Sequence, residues 1–198
     1  MNFLEAQDEV IAYTKRPDKL TDIKSQLNRA IAFFTLKANF SRDLVESSIP
    51  VDSTLYGDTV DLSTLAVPFV RFRKFKYVKP TGVRYYLNTI DPTQILTPQG
   101  IVQPNRYYVA GQSITYTLSA LTAVLECGYY QYAPLLVNNA DEHWMLDLMP
   151  WAVIEKAASR IFFNIGDETS AKSFEESSMD FFLVGRRDFL DQTNDAAT

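Results

Sequence analysis

Residues 104–118 read PNRYYVAGQSITYTL and residues 125–136 read LECGYYQYAPLL, and these two runs decide the fold. Each alternates β-branched or aromatic side chains with polar ones, the period-2 pattern of a strand with one covered face. Ala110, Gly111 and Gln112 form a hairpin turn between the first two strands, with Gly111 supplying the positive φ that a tight turn needs. Beyond Leu136 the period changes to that of helices, interrupted once, at Gly166 and Asp167. A Tyr-rich meander running straight into helices is an α+β layout.

Upstream the strand pattern continues. Short runs at residues 69–72, 75–78, 84–87, 106–109, 113–118 and 123–127 are rich in β-branched and aromatic residues and are separated by Pro, Gly, Asn or Asp. Residues 51–138 therefore read as an antiparallel β-sandwich or small barrel, not as a parallel α/β sheet. The Tyr doublets at 85–86, 107–108 and 129–130 are evenly spaced, but nothing around them repeats. Paired aromatics on successive strands, one facing in and one out, account for them.

Helical periodicity occupies both ends. Asn2 and Glu5 have capping-box spacing, and Phe3, Leu4, Gln7, Val10 and Ile11 continue one helix face until Pro17 ends it. Asp18 is placed to cap a second helix, with Leu20, Ile23, Leu27, Ala30, Ile31, Phe34 and Ala38 on its apolar stripe. Residues 41–50 read as its fraying and exit. After the strands, Asp147 is placed to cap a helix with Pro150 in its first turn and a face of Trp151, Ile154, Ala158, Ile161, Phe162 and Ile165. Gly166 stops it. Asp167 caps the last helix, whose face runs Ala171, Phe174, Ser178, Phe181, Phe182, Gly185 and Phe189, with Arg186 and Arg187 toward the negative end of its dipole. Helices near residues 3–15, 18–45, 148–165 and 168–190 are expected to pack as a four-helix bundle. That bundle would span residues 1–50 and 139–198, with residues 51–138 inserted as the β domain.

Composition narrows the function. With 198 residues and 46% hydrophobic content, the chain can bury a sizeable core. The lone Cys127 excludes an intrachain disulfide and suits synthesis in a cytoplasm. No apolar run is long enough to cross a bilayer, so no membrane is expected. A net charge of −5 argues against gripping a nucleic-acid backbone with the whole surface. His143 is the only histidine, which excludes a His-based metal cluster, and no Gly-x-Ser-x-Gly elbow accompanies it. It reads as a satisfied boundary histidine. The neighbouring carboxylates Asp141 and Glu142, and Glu175 and Glu176, point in different directions on a helix and read as solvated surface. Gly57 and Gly100 stand alone and make no phosphate loop. No catalysis and no metal or organic cofactor are expected.

One local pattern carries chemistry. From Arg71 through Arg73, Lys74 and Lys76 to Lys79, cations alternate with Phe72, Phe75 and Tyr77. Such a strand can serve single-stranded nucleic acid with stacking faces and phosphate contacts, so a nucleic-acid-binding β module is the alternative function. However, residues 72, 75 and 77 share a face only if a bulge intervenes near Arg73 and Lys74. A core strand with a charged outer face, or a basic rim meeting an acidic neighbour, is therefore the favoured reading.

The order of parts in residues 104–189 (Pro-Asn-Arg-Tyr-Tyr-x-x-x-Gly, an alternating strand, a Tyr-Tyr strand closed by Ala-Pro-Leu-Leu, then Trp, Met-Pro and Gly-Asp-Glu at helix boundaries) resembles the head-to-tail adaptor proteins of tailed bacteriophages. The resemblance extends over most of the chain. It implies a helical bundle with an inserted β domain, and a ring of about twelve copies, the number typical of that group, seated beneath a portal protein. It implies a virion protein, made in the host cytoplasm, that joins the portal to the next tail or nozzle protein. DNA would pass through the channel without specific binding. Subunits are expected to stay monomeric until a portal gathers them. Arg71, Arg73, Lys74, Lys76, Arg186 and Arg187 are the candidate interface residues, facing carboxylates of a neighbour, the portal or the next tail protein.

Overall fold

Helices from both ends of the chain pack into one unit, and a seven-stranded sheet is inserted between them in sequence. The computed structural model describes residues 1–65, 69–79, 81–91 and 104–195; Gly100 lies outside them. The chain divides into a helical unit, residues 1–38 and 133–198, and a sheet unit, residues 39–132.

In the helical unit, α1 (Phe3–Thr14) begins with the expected capping box: Glu5 N donates to Asn2 Oδ1 and Asn2 N to Glu5 Oε2, both at 2.9 Å. Lys15, at φ +54°, ends it before Pro17. The second helix, α2 (Leu20–Lys37), is not capped by Asp18, which sits in a short 3-10 turn and pairs with Arg16 at 2.7 Å. Three helices follow: α3 (Trp144–Leu148), α4 (Pro150–Asn164) and α5 (Glu168–Asp195). Asp147 does not cap α4; it lies within α3 and accepts a hydrogen bond from the Met1 ammonium at 2.6 Å. Gly166, at φ +85°, turns the chain, and Asp167 caps α5 through Ser170 N at 3.0 Å.

The central element is α4, which packs against α1, α2 and α5. Being surrounded, it buries Glu155, Lys156 and Ser159 along with Val153, Ile154, Ala157, Ala158 and Ile161. An amphipathic stripe therefore misdescribes it: Trp151 and Ile165, read as buried, stand 37% and 38% exposed.

The sheet unit departs from expectation in two ways. First, the segment read as helix fray forms a strand, β1 (Leu44–Pro50), because α2 stops at Lys37 and Ala38 is already extended. Val45, Ser47 and Ile49 turn toward the core, and Pro50 is tolerated because it ends an edge strand. Second, there is one mixed, curled sheet and not an antiparallel sandwich or closed barrel. The remaining strands are β2 (Gly57–Asp61), β3 (Phe69–Val78), β4 (Arg84–Thr89), β5 (Arg106–Ala110), β6 (Ser113–Thr117) and β7 (Val124–Gln131). Their order is β1-β7-β3-β4-β5-β6-β2, and β4 with β5 is a parallel pair. The hairpin at Gly111 forms as read, with φ +60°.

The inner face carries the core: Ile49, Phe75, Tyr77, Leu87, Tyr107, Ile114, Tyr116, Leu125, Cys127 and Tyr129 are buried together. Each Tyr doublet splits as its period requires, with Tyr107 and Tyr129 inside and Tyr86 outside. The Tyr77 hydroxyl donates to Asn105 Oδ1 at 2.8 Å, and Asn105 reaches this position from a left-handed conformation, φ +60°. That bond lets a phenol be buried without leaving its polar end unsatisfied.

Candidate functional site

The strand β3 carries the bulge its aromatics require. Its register against β7 slips between Phe69 and Arg71 and again between Phe72 and Lys74. The second slip places Phe72, Phe75 and Tyr77 on the core side, where Phe75 and Tyr77 are fully buried and Phe72 packs against both Phe75 and Tyr129. Arg71, Arg73 and Lys74 are left exposed, and Lys76 is partly so. The local chemistry follows from one extra residue: without it, half of the cations would point into the core.

Strand pairing then arranges the outer face of β1, β7, β3 and β4 in rows. Ser48 lies opposite Glu126, Glu126 opposite Lys76, and Lys76 opposite Tyr86. In the next row Glu46 and Lys74 flank Gly128, which has no side chain to fill the space between them. A Cβ at Gly128 would meet only Leu44 Cδ1, at 3.9 Å, so the notch is open. Lys76 Nζ is 3.1 Å from Glu126 Oε2, while Lys74 Nζ stands 5.1 Å from the Tyr86 ring centroid. Together these residues, with Arg73 and Arg84, line a groove of about 450 Å³. Four cations face two carboxylates, and one carboxylate is already paired.

The groove concentrates charge in an acidic protein. The sheet unit carries eight Lys and Arg against seven Asp and Glu, whereas the helical unit carries eleven against seventeen. Six of the eight cations lie between residues 71 and 84, a stretch with no carboxylate. Such a face attracts carboxylates or phosphates at short range. Its stacking capacity is small: Phe72, Phe75 and Tyr77 look inward, and the aromatic that lines the groove is Tyr86, 57% exposed.

Of the six sequence-selected residues, Arg71, Arg73, Lys74 and Lys76 are brought together on this face. Arg186 and Arg187 belong to α5 of the helical unit, where both are exposed. Sequence reading missed Arg84, Tyr86, Glu46, Glu126 and Gly128. The signal for Arg84 and Tyr86 was present, since period 2 puts them on the face opposite Tyr85 and Leu87. Their adjacency to Lys76 required the strand register.

Several titratable groups elsewhere make contacts that hold the fold. His143 caps α3 by accepting from Met145 N at 3.2 Å, and burial pushes its pKa down to about 4. Burial pushes the Cys127 thiol up to about 11. Asp141 binds the loop amides of Val137 and Asn138, which hold its carboxyl below the ordinary range. The adjacent Glu175 and Glu176 separate as helix geometry dictates, the first onto buried Lys156 and the second toward exposed Lys172. Among the described residues no three His, Cys, Asp or Glu side chains come together as metal ligands, and no helix is long and apolar enough to cross a membrane. No protein family and no curated protein matches the chain.

Proposed function

We propose that this protein is a structural component of a tailed-phage particle, a ring-forming adaptor between portal and tail. In this reading the helices of the two chain ends act as one four-helix-type bundle, and the curled sheet is an inserted open barrel. The ring extends the DNA channel, helps retain the packaged genome, and passes DNA without specific binding. Its partners are further copies of itself, in a ring of about twelve set by the portal platform, together with the portal and the next tail or nozzle protein.

The observation that supports this reading is the division of surface character between the two units. Head-to-tail rings need two unlike faces on each subunit. The sheet unit offers the cationic outer face, with Arg71, Arg73 and Lys74 exposed. The helical unit leaves Leu148, Trp151, Phe181 and Val184 open around a shallow groove at Gly185, where a Cβ would collide with the Met149 side chain. Exposed apolar side chains gathered in this way mark a contact surface. The inward-facing aromatics of β3 weigh against the nucleic-acid reading, which needs those rings beside the cations.

Negative-stain imaging of the purified protein, alone and mixed with a portal ring, tests the proposal. The expected result is a monomer alone and a second ring seated on the portal in the mixture. A chain that leaves portal rings bare under all conditions overturns it.

A further inference from the structure

The sheet unit has an acidic counterpart to its basic groove. Residues 52–61 carry Asp52, Asp58 and Asp61 and no cation. They include β2, the edge strand at the opposite end of the sheet from β1. Asp52 accepts from Thr54 N at 2.8 Å, and Asp61 from Ser63 N at 2.8 Å, bonds that favour the ionised carboxylates. Asp52 precedes β2 and Asp58 lies within it. Between them Leu55 and Tyr56 stand 41% and 59% exposed. The segment therefore presents an aromatic and an aliphatic side chain flanked by negative charge.

We infer that the groove lined by Arg73, Lys74, Lys76, Arg84 and Tyr86 receives residues 52–61 of a second copy of this chain. Charge complementarity selects that occupant: a groove of four cations and two carboxylates, one of them already paired, meets a stretch of three carboxylates without a cation, and both belong to the same chain. Three strands, β4, β5 and β6, separate β3 from β2, so the two surfaces are distinct patches of one sheet. Contact between unlike patches is head to tail, and it repeats from copy to copy until a ring closes or a filament grows. Tyr56 and Leu55 supply the apolar anchors and the carboxylates set the register. The inference deepens the adaptor reading and rests on it for closure into a ring.

Equal amounts of ¹⁴N- and ¹⁵N-labelled protein, concentrated at low ionic strength and treated with a carbodiimide, give the first test. Mixed-label peptides joining Lys74 or Lys76 to Asp52, Asp58 or Asp61 are expected. In sedimentation, the double variants R73E/K74E and D52K/D58K should each self-associate about tenfold or more weakly than the wild type. Mixing the two variants should restore association, because each retains the surface the other has lost. Circular dichroism checks that both remain folded, and the cross-link in unaltered protein stands if either does not. Absence of mixed-label peptides, or variants that associate as the wild type does, overturns the inference. So does single-stranded DNA binding that R73E/K74E abolishes while self-association persists. A chain that seats on a portal without this cross-link overturns the contact and leaves the adaptor reading standing. The cross-link in a chain that never binds a portal does the reverse.

Discussion

The two units sort polar and apolar side chains in opposite ways. The helical unit buries Gln7, Gln26, His143, Glu155, Lys156, Ser159 and Ser178, yet exposes Leu135, Val137, Phe163, Leu183 and Val184. In the sheet unit the inner face is a layer of aromatic and aliphatic side chains, and the cations of β3 lie outside it. Geometry explains the contrast. A strand has two faces, so its alternation sends each residue type to its own side. A helix packed against three others, as α4 is, keeps little solvent face, and polar residues buried along it find partners inside, Lys156 with Glu175 and Ser159 with the Ala171 carbonyl. The same amino-acid alphabet thus yields a dry core in one unit and a partnered polar core in the other.

If the sheet core is dry and closely packed, cutting into it should cost most. Phe75 is fully buried against Tyr107 and Phe72, so Phe75→Ala should lower unfolding stability by about 3–5 kcal/mol, measured by urea denaturation. A cost below about 1 kcal/mol would mean that the aromatic layer is loosely packed.

The helical unit should instead respond to pH. Protonating His143 would turn the acceptor that caps α3 into a donor facing Met145 N–H. Its folded pKa, about 4, lies below the ordinary 6.5. The contribution is therefore complete above pH 6.5 and is lost as pH falls through that window toward 4, by about 3 kcal/mol in total. His143→Asn keeps a capping side chain without the titration and should flatten this slope in pH-dependent melting.

The buried ion pair gives the next effect. Lys156 is held by Glu175 and lies 4.2 Å from the Phe33 ring centroid. Glu175→Ala leaves the ammonium short of its partner and should cost about 2 kcal/mol. Lys156→Met, which removes the charge and keeps the stem, should be close to neutral. Equal losses in the two variants would contradict the account of a polar group satisfied inside an otherwise apolar surround. Glu155 has the opposite pH sign from His143. Burial raises its pKa against the hydrogen bond from Ser177, so its contribution is present at low pH and is lost as pH rises through the raised value. Glu155→Gln should raise the melting temperature at pH 7 and leave it nearly unchanged in acid.

The smallest stability effect belongs to the outer face of the sheet. Arg71, Arg73 and Lys74 are exposed, whereas Lys76 is already paired with Glu126. Reversing the first three to Glu should change stability by less than about 1 kcal/mol, while under the adaptor proposal assembly on a portal should be lost. Equal damage to folding and assembly would place these cations in the architecture and not at an interface.

Much of the site was legible before any coordinates. The spacing of Phe72, Phe75 and Tyr77 allowed them to share a face only through a bulge near Arg73 and Lys74, and the register slips there. The alternation that exposed those cations needed no tertiary information. The companions Arg84, Tyr86, Glu46 and Glu126 could not be assigned to the same groove, because which strand lies beside which depends on packing across the whole sheet. The strand Leu44–Pro50 was missed for a related reason. Its sequence, LVESSIP, is short and weakly patterned, and pairing with β7 is what makes it a strand.

Local chemistry by itself determined the capping box at Asn2, the left-handed turns at Gly111 and Gly166, the cap at Asp167 and the paired faces of the Tyr doublets. Each depends on residues a few positions apart, where backbone sterics and hydrogen-bond reach leave few alternatives. Tertiary structure alone decided that α4 is central and buries Lys156, that β4 and β5 run parallel, and that β1 joins the sheet beside β7. Those outcomes depend on which surfaces meet across long stretches of chain, and burial there offsets local preference because every contact removes apolar area from water at once.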